Sequence, residues 1–488
     1  MSLSRGAIVS LGSSILQLAV TIVTVPIYLR VIGLERYGVI VVVWLLFDYF
    51  TLFNAGLDRA VGNMVARHKH EAADAGAIFW SASLIALALG IVGGLILLFG
   101  LYPLMQSAMG VSTALTGEAG ASIFWVAFCL PIFVLGTILS AFLQAHERFS
   151  ELSAAQLAMS VVFQVLPLGA ALAFGPSLQT VLIAGAVARA TLPVSLAFFA
   201  WRQRHRTPRS LSKAWSAKLL RYGLWTSVTS IVSPMIFNLD RLAISGMLGP
   251  VAVSPYTLPY NLVMRLQLLP GTLANVIFPR MSAHDDAARQ ALAEDSTVTL
   301  AVMLIPFLIG GAFLIRPFLY LWIGPALATE AGAVGQWLLI GVWFNGLAIV
   351  PYIALQAKAR PDVIAKLHVA EIVPFVAFLF YALSTFGLIG AAVTWTLRAV
   401  VDSLVLFYAA GLLGVLMRRL LFPLLVLTVS VAIGLLVPME LWEEIGLAAI
   451  GNLLILVWIY LREPESLRRL LRLIPFSGRL QAVLLPGG

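Results

Sequence analysis

Apolar stretches of about twenty residues recur along this whole chain, and each is long enough to cross a bilayer as one helix. They fall at 6–29, 37–57, 77–100, 121–143, 154–174, 178–200, 222–245, 252–275, 298–321, 336–357, 367–386, 389–411, 421–437 and 445–461. In lipid every backbone N–H and C=O must find its partner inside the protein, so such a series points to a bundle of helices. The expected class is all-α: a polytopic membrane protein with about fourteen transmembrane helices. Charged residues make up 11% of the 488, against about 25% in soluble domains, and no polar stretch is long enough for a soluble domain. The first run carries one early positive charge, Arg5, and continues to Leu29 without a small-residue cleavage site. It is expected to be a retained span.

Basic residues set the expected orientation. With the N-terminus inside, 24 of the 31 Lys and Arg fall in cytoplasmic segments and only Arg30 and Arg36 in outer loops. One missed span would invert every later loop, so this asymmetry supports the span count and puts both termini in the cytoplasm. It also accounts for the net charge of +9 without nucleic acid, because the basic residues sit in short loops between apolar spans. The C-terminal stretch 465–485 mixes Arg468, Arg469, Arg472 and Arg479 with leucines, as an amphipathic helix on an anionic leaflet would.

The chain also repeats. Trp125–Ala145 matches Trp337–Ala357, and both segments end in Leu-Gln-Ala. Phe174 and Gly175 match Phe386 and Gly387, and Arg189 and Ala190 match Arg398 and Ala399. The expected organisation is an N-terminal six-helix bundle (1–201), a basic linker (202–221), a second bundle (222–417), an extra helix pair (418–463) and a basic tail (464–488). An even number of helices per half makes the repeats parallel, a transporter architecture with its pathway between the halves.

Charges inside the spans mark candidate sites, since each costs about 2.5–3.5 kcal/mol at mid-bilayer even on a permissive scale. They are Asp48, Arg189, Asp240, Arg241, Arg265, Arg398 and Asp402, with Glu371 and Arg316 nearer span ends. Arg398 and Asp402 share a helix face at i, i+4 and are expected to pair. Arg189 and Arg265 have no acid at helical spacing, so each needs a partner from another helix, a wet cavity or an anionic substrate. Arginine stays charged and presents a fork that fits phosphate oxygens, which suits a phosphate headgroup crossing the membrane. Asp48, Asp240, Asp402 and Glu371 are candidates to carry a coupling ion, H+ or Na+. Span 252–275 holds Pro255, Pro259 and Pro270, and Asn261 shares a face with Arg265, so a bent, pore-lining helix is expected there.

No catalytic constellation or metal-ligand pattern is visible. The single Cys129 forms no disulfide within the chain, and the six histidines lie in or beside cytoplasmic loops.

The stretch 26–38, PIYLRVIGLERYG, resembles the first-hairpin pattern of bacterial polysaccharide transporters. Two further stretches agree with it: Asn238 to Leu242 (NLDRL) with Leu248, Gly249 and Tyr256, and Phe278 to Ser282 (FPRMS). In this respect the chain is similar to Wzx-type lipid-linked oligosaccharide flippases of the multidrug/oligosaccharidyl-lipid/polysaccharide (MOP) exporter superfamily. The resemblance implies two six-helix bundles in a V around a cationic cavity. It implies a bacterial inner-membrane flippase for an undecaprenyl-diphosphate-linked oligosaccharide, coupled to an ion gradient, working in a lipid bilayer beside a polymerase and glycosyltransferases. Asp240 and Arg241 match the family's Asp-Arg pair in its seventh helix. The headgroup arginines that related lipid II flippases carry in the first helix have no counterpart here before Arg30. A drug or cation antiporter on the same fold is the first alternative, disfavoured by the excess of intramembrane arginines. A membrane glycosyltransferase or polymerase is the second, disfavoured by short outer loops.

Overall fold

The computed structural model describes residues 3–52, 56–68, 71–107, 111–201, 210–283, 285–358 and 360–473. Nearly all of them are helical, and among them no strand occurs. The chain divides into two compact units, Met1–Ser254 and Pro255–Gly488.

The first unit holds α1 (Leu3–Ile32), α2 (Leu34–Leu52), the short α3 (Leu57–Arg67), α4 (Ala72–Ser107), α5 (Thr113–Ala145), α6 (Phe149–Phe174), α7 (Leu178–Trp201) and α8 (Lys213–Leu248). The α5 helix packs between α4 and α7, α6 lies on the α7 helix, and α4 meets α5 at close range. A Cβ on Gly90 of α4 would come 2.5 Å from Pro131 Cα, so only glycine lets the two backbones approach this far. The boundary falls at Ser254–Pro255, beyond the 202–221 linker, because α8 packs on α2, α3 and α4. Ser212 at the start of α8 donates its N–H to Ser81 Oγ at 3.1 Å, and Trp215 Nε1 donates to Asp74 Oδ1 at 3.2 Å. Residues 202–209 of the expected linker lie outside the described residues.

The chain enters the second unit along α9 (Pro250–Met264). It continues through one 3-10 turn, Arg265–Gln267, and then α10 (Leu268–Ala283), α11 (Asp286–Ile323), α12 (Pro325–Leu347), α13 (Ile349–Ala357) and α14 (Pro361–Ala410). The extra pair follows as α15 (Leu413–Arg419), α16 (Leu421–Leu436) and α17 (Leu441–Arg462), with the short α18 (Pro464–Leu473) after it. The α16 and α17 helices lie on α11, which packs in turn against the still more buried α12. The expected amphipathic tail begins as α18, where Arg469 turns inward while Arg468 stays exposed. Arg469 donates to Asp295 of α11 at 2.7 Å, and Glu463 accepts from Arg419 Nε at 2.8 Å. The tail beyond Leu473, with Arg479, lies outside the described residues.

Helix ends in the two units correspond at the positions the repeat marks. Leu-Gln-Ala closes α5 at Ala145 and α13 at Ala357. Gly175 ends α6 at φ 100, and Gly387 breaks α14 at φ 58, splitting it into two arms. A further pair, Gly33 at φ 82 and Gly249 at φ 84, separates α1 from α2 and α8 from α9.

By length and hydropathy, eight helices among the described residues qualify as membrane spans, or ten when each of two bent pairs counts once. One of those pairs is α1 with α2, turned by 120° at Gly33. The α8 helix and the broken α9–α10 coincide with expected spans without meeting that test, and α14 meets it as one body despite Gly387. A multi-pass membrane protein is the class; the figure of about fourteen rests on the loop charges.

Candidate substrate and ion sites

In the first unit Arg189 of α7 is enclosed by aromatic rings. Its guanidinium carbon stands 4.5 Å from the Trp44 ring centroid, 4.7 Å from Phe163, 5.1 Å from Phe47 and 5.8 Å from Phe133. Trp44 and Phe47 come from α2, Phe133 from α5 and Phe163 from α6. The local sequence makes this possible. Trp44, Phe47 and Asp48 fall on one face of α2 at i, i+3 and i+4. Gly185, one turn before Arg189, leaves room for the indole: a Cβ there would lie 2.5 Å from Trp44 Cζ2. Asp48 supplies the counter-charge, accepting from Arg189 Nη1 and, at 3.4 Å, from Nη2. The Arg189 side chain is 12% exposed and that of Asp48 55%. Arg189 therefore has its partner on another helix, and that partner is one of the residues expected to carry an ion.

Asp240 and Arg241 are both buried in α8. Adjacent residues on a helix point about 100° apart, and Arg241 Nη1 bonds one turn back, donating to Asn238 Oδ1 at 2.6 Å. Tyr49 of α2 lies within electrostatic reach of both.

In the second unit the break at Gly387 brings the two arms of α14 together, and with them Glu371, Arg398, Asp402 and His368. Arg398 Nη1 stands 3.8 Å from Glu371 Oε2, across the break, and the Arg398 guanidinium lies 5.7 Å from the Phe375 ring. Asp402 faces His368, with Oδ1 to Nε2 at 3.6 Å. The expected pair of Arg398 with Asp402 along one helix gives way to these cross-arm contacts, because an antiparallel neighbour offers a nearer acid than the next turn does. Neither oxygen of the buried Glu371 carboxylate has a hydrogen-bond partner among the described residues. It borders a cavity of about 470 Å³ whose other walls are mainly apolar, including Leu367, Phe375, Phe378 and Leu397. A buried carboxylate in that state is costly unless a proton, an ion or water satisfies it.

Arg265 stands apart. It opens the 3-10 turn that breaks the proline-rich helix, so the expected bend is present, and Gln267 pins the break to α12 by donating to Val342 O at 3.1 Å. Asn261, one turn before Arg265, is exposed. Among the described residues no hydrogen bond or ion pair engages the half-exposed Arg265 side chain. Of the expected arginines, Arg189 and Arg241 belong to the first unit, Arg265 and Arg398 to the second.

Sequence reasoning missed the four-ring enclosure and the role of His368. The i, i+4 spacing of Trp44 and Asp48 and the i, i+3 spacing of His368 and Glu371 were the available signals.

Comparison with known proteins adds the lineage. The family described as "Polysaccharide biosynthesis protein" matches residues 3–284. A protein of Shigella flexneri described as a candidate O-antigen transporter is 25% identical over 418 residues, covering 83% of this chain and 97% of that one. The lipopolysaccharide biosynthesis protein WzxC of Escherichia coli is 23% identical over 239 residues, 48% of each chain. Among solved structures, the lipid II flippase MurJ in an inward closed conformation superposes with a TM-score of 0.73 at 15% identity, covering 93% of this chain and 98% of that one. An inward-facing multidrug resistance MATE transporter of the MOP superfamily gives 0.68 at 15% identity, over 85% and 99%.

Proposed function

Because this chain belongs to the polysaccharide biosynthesis protein family and has the fold of the MOP transporters, we propose that it is a flippase for a lipid-linked oligosaccharide. The cargo in this reading is an undecaprenyl diphosphate carrying the sugars, moved by alternating access from the cytoplasmic to the periplasmic leaflet of the inner membrane. The 24-to-2 distribution of basic residues supports cytoplasmic termini. A polymerase and glycosyltransferases would act on the same lipid before and after the transfer. The chain transports and performs no bond chemistry of its own.

One observation carries the diphosphate reading. Arg189 already faces an acid on another helix and Arg398 one on the other arm of α14, whereas Arg265 has no such partner among the described residues. A guanidinium in an apolar span needs an anion or water, and a diphosphate offers oxygens matched to its fork. Arg189 then joins when the anion displaces Asp48, whose exposed half leaves it open to competition. Arg241, Asn261 and Arg398 are the further candidates, each within its own unit, for contacts with the cargo. The cation-antiporter reading would need an acid-rich pathway, and Arg265 counts against it.

For ion coupling, the buried Glu371 with Asp402 and His368 supports a proton site, since a carboxylate between an arginine and a second acid exchanges a proton without a coordination shell. Asp48 and Asp240 are the secondary candidates.

Native mass spectrometry of the purified protein with undecaprenyl diphosphate, with and without sugars, tests the substrate assignment. Binding by the wild type that weakens at least about tenfold in Arg265→Ala, as loss of a charge-assisted contact requires, is the expected result. Equal binding by both proteins removes Arg265 from the site. Absence of polyprenyl diphosphate binding transfers the weight to the antiporter.

A further inference from the structure

A second cavity lies wholly within the first unit, away from the charged residues above. It is a groove of about 970 Å³ between α4, α5 and α7, lined by Trp80, Ser83, Leu87, Leu139, Phe142 and Phe198 among others. Leu84, Leu87 and Phe198 are exposed along it, so it opens sideways on the face of a membrane protein, toward lipid. Its lining is almost entirely apolar, with one exception. Ser83 is 9% exposed, and its hydroxyl has no hydrogen-bond partner among the described residues. A buried hydroxyl costs free energy unless an acceptor comes to it, and within a hydrocarbon groove that acceptor belongs to whatever fills the groove.

Ser210 and Leu211, both exposed, also line the groove where the chain enters α8. The following residues are held against the same helices. Ser212 bonds Ser81, Trp215 bonds Asp74 and stacks edge-on against His68 at 5.1 Å, and Lys218 Nζ lies 4.3 Å from the Trp215 ring centroid. Lys213 and Lys218 are exposed there. Among the acids at this end, Asp74 is occupied by Trp215, and Glu147 is exposed just beyond α5. In sequence, the nine residues that join the groove positions Ala200 and Ser210 include Arg202, Arg204, Arg206 and Arg209. The exposed Lys213 and Lys218 thus stand, with Glu71 exposed beside His68, next to a hydrocarbon-shaped space with one unused hydroxyl.

We propose that this groove is a binding site for an anionic glycerophospholipid, with an acyl chain along α4 and α5, an ester or phosphate oxygen accepting from Ser83, and the headgroup charge against Lys213 and Lys218. Basic pockets between transmembrane helices recognise anionic headgroups in this way, and each nearby lysine favours the anion several-fold. The groove holds one fixed lipid at the end of the unit where the linker meets α8, whatever cargo the transporter carries.

The test uses the full chain in lipid nanodiscs containing phosphatidylglycerol with a diazirine-bearing acyl chain, or the matching phosphatidylcholine, with crosslinked peptides mapped by mass spectrometry. Phosphatidylglycerol should label the α4 and α5 segments that line the groove, several-fold above phosphatidylcholine. Lys213→Glu combined with Lys218→Glu, both at exposed positions, should lower that labelling about tenfold. Leu139→Trp should remove it by filling the groove; a normal elution profile would certify that the variant is folded. Equal labelling by the two lipids, or labelling indifferent to the lysine reversals, would overturn the proposal. So would displacement of the phosphatidylglycerol probe by undecaprenyl phosphate, which would assign the groove to the cargo's tail.

Discussion

Glu118 on α5 holds Arg36 on α2 through both carboxylate oxygens, with Nη2 to Oε1 at 2.7 Å and Nε to Oε2 at 3.2 Å. The same carboxylate accepts the backbone N–H of Leu178 at 2.9 Å, at the first residue of α7. One acid thus ties three helices at one end of the first unit, and it neutralises one of the two arginines that break the loop-charge asymmetry. Hydrogen bonding from Arg36 holds the Glu118 carboxyl below its ordinary range.

Glu118→Gln should therefore lower thermal stability at neutral pH. The cost is roughly 1 kcal/mol, since both side chains are about a third exposed and partly screened. A carboxylate whose folded-state pKa is depressed contributes fully above its unfolded value of about 4.3 and loses that contribution as pH falls through the lower folded value. The gap between wild type and variant should close as the pH drops below about 4. Melting curves in detergent across that range measure it; a gap that persists in acid would mean the carboxylate is not the source.

The enclosure of Arg189 makes a different demand. Asp48→Asn removes the counter-charge and leaves the guanidinium to the rings, while Trp44→Leu removes the nearest ring and keeps the charge. If both act through Arg189, their effects on stability should be non-additive, with a coupling of about 0.5–2 kcal/mol. Asp48→Asn should also tighten binding of a polyprenyl diphosphate, because the anion no longer competes with Asp48. Weaker binding in that variant would contradict the competition.

Glu371 and Arg398 separate structure from transport. Replacing only Glu371 by Leu strands a buried arginine and should cost about 3–5 kcal/mol. Replacing both, as Glu371→Leu with Arg398→Met, should restore stability to near the wild type. Transport in proteoliposomes should remain absent in the double variant and lose its response to an imposed pH gradient in Glu371→Gln. A double variant that still transports with a gradient response would exclude this cluster from coupling.

These residues also show where sequence reasoning reached and where it stopped. Leu-Gln-Ala and the Phe-Gly pairs carried the repeat because a helix end is a local event, written in a few adjacent residues. Gly33 and Gly249 held the same signal, and only their positive φ made them equivalent. Arg189 illustrates the opposite case. Its ring neighbours come from α2, α5 and α6, and no spacing along the chain relates Phe133 or Phe163 to it. Arg398 lay between two acids, one four residues away on its own helix and one across a turn. Periodicity favours the first, and only the geometry of the break at Gly387 favours the second. The inward use of Arg469 was equally hidden, since an amphipathic basic helix reads the same whether it meets lipid or Asp295.

Asp295 offers a direct measure of that last point. It accepts from Arg469 at 2.7 Å and lies 4.0 Å from Arg419, which also holds Glu463. Asp295→Asn should release α18 while leaving α11 folded, because the residue is partly exposed and lies in the third turn of a 38-residue helix. Limited proteolysis would then cut at α18 several-fold faster than in wild type, with little change in melting temperature. Unchanged protection would show that α18 is held by its apolar face instead.

Gly387 carries the turn on which the Glu371 site depends. Its φ of 58 and ψ of −140 lie where a side chain is strained, and a Cβ there would meet no atom within 4 Å. Gly387→Ala therefore costs backbone strain alone, about 1–3 kcal/mol, with no contribution from collision. Gly100, in α4, is the control: it is helical and its surroundings are equally open, so Gly100→Ala should be neutral or stabilise by up to about 1 kcal/mol. The strain at residue 387 should also loosen the register between the two arms, so Gly387→Ala should weaken the response of transport to a pH gradient more than it lowers the melting temperature. Matching melting curves for the two variants would mean the arms of α14 do not need this conformation, and the Arg398–Glu371 contact would have to be held by packing between the arms themselves.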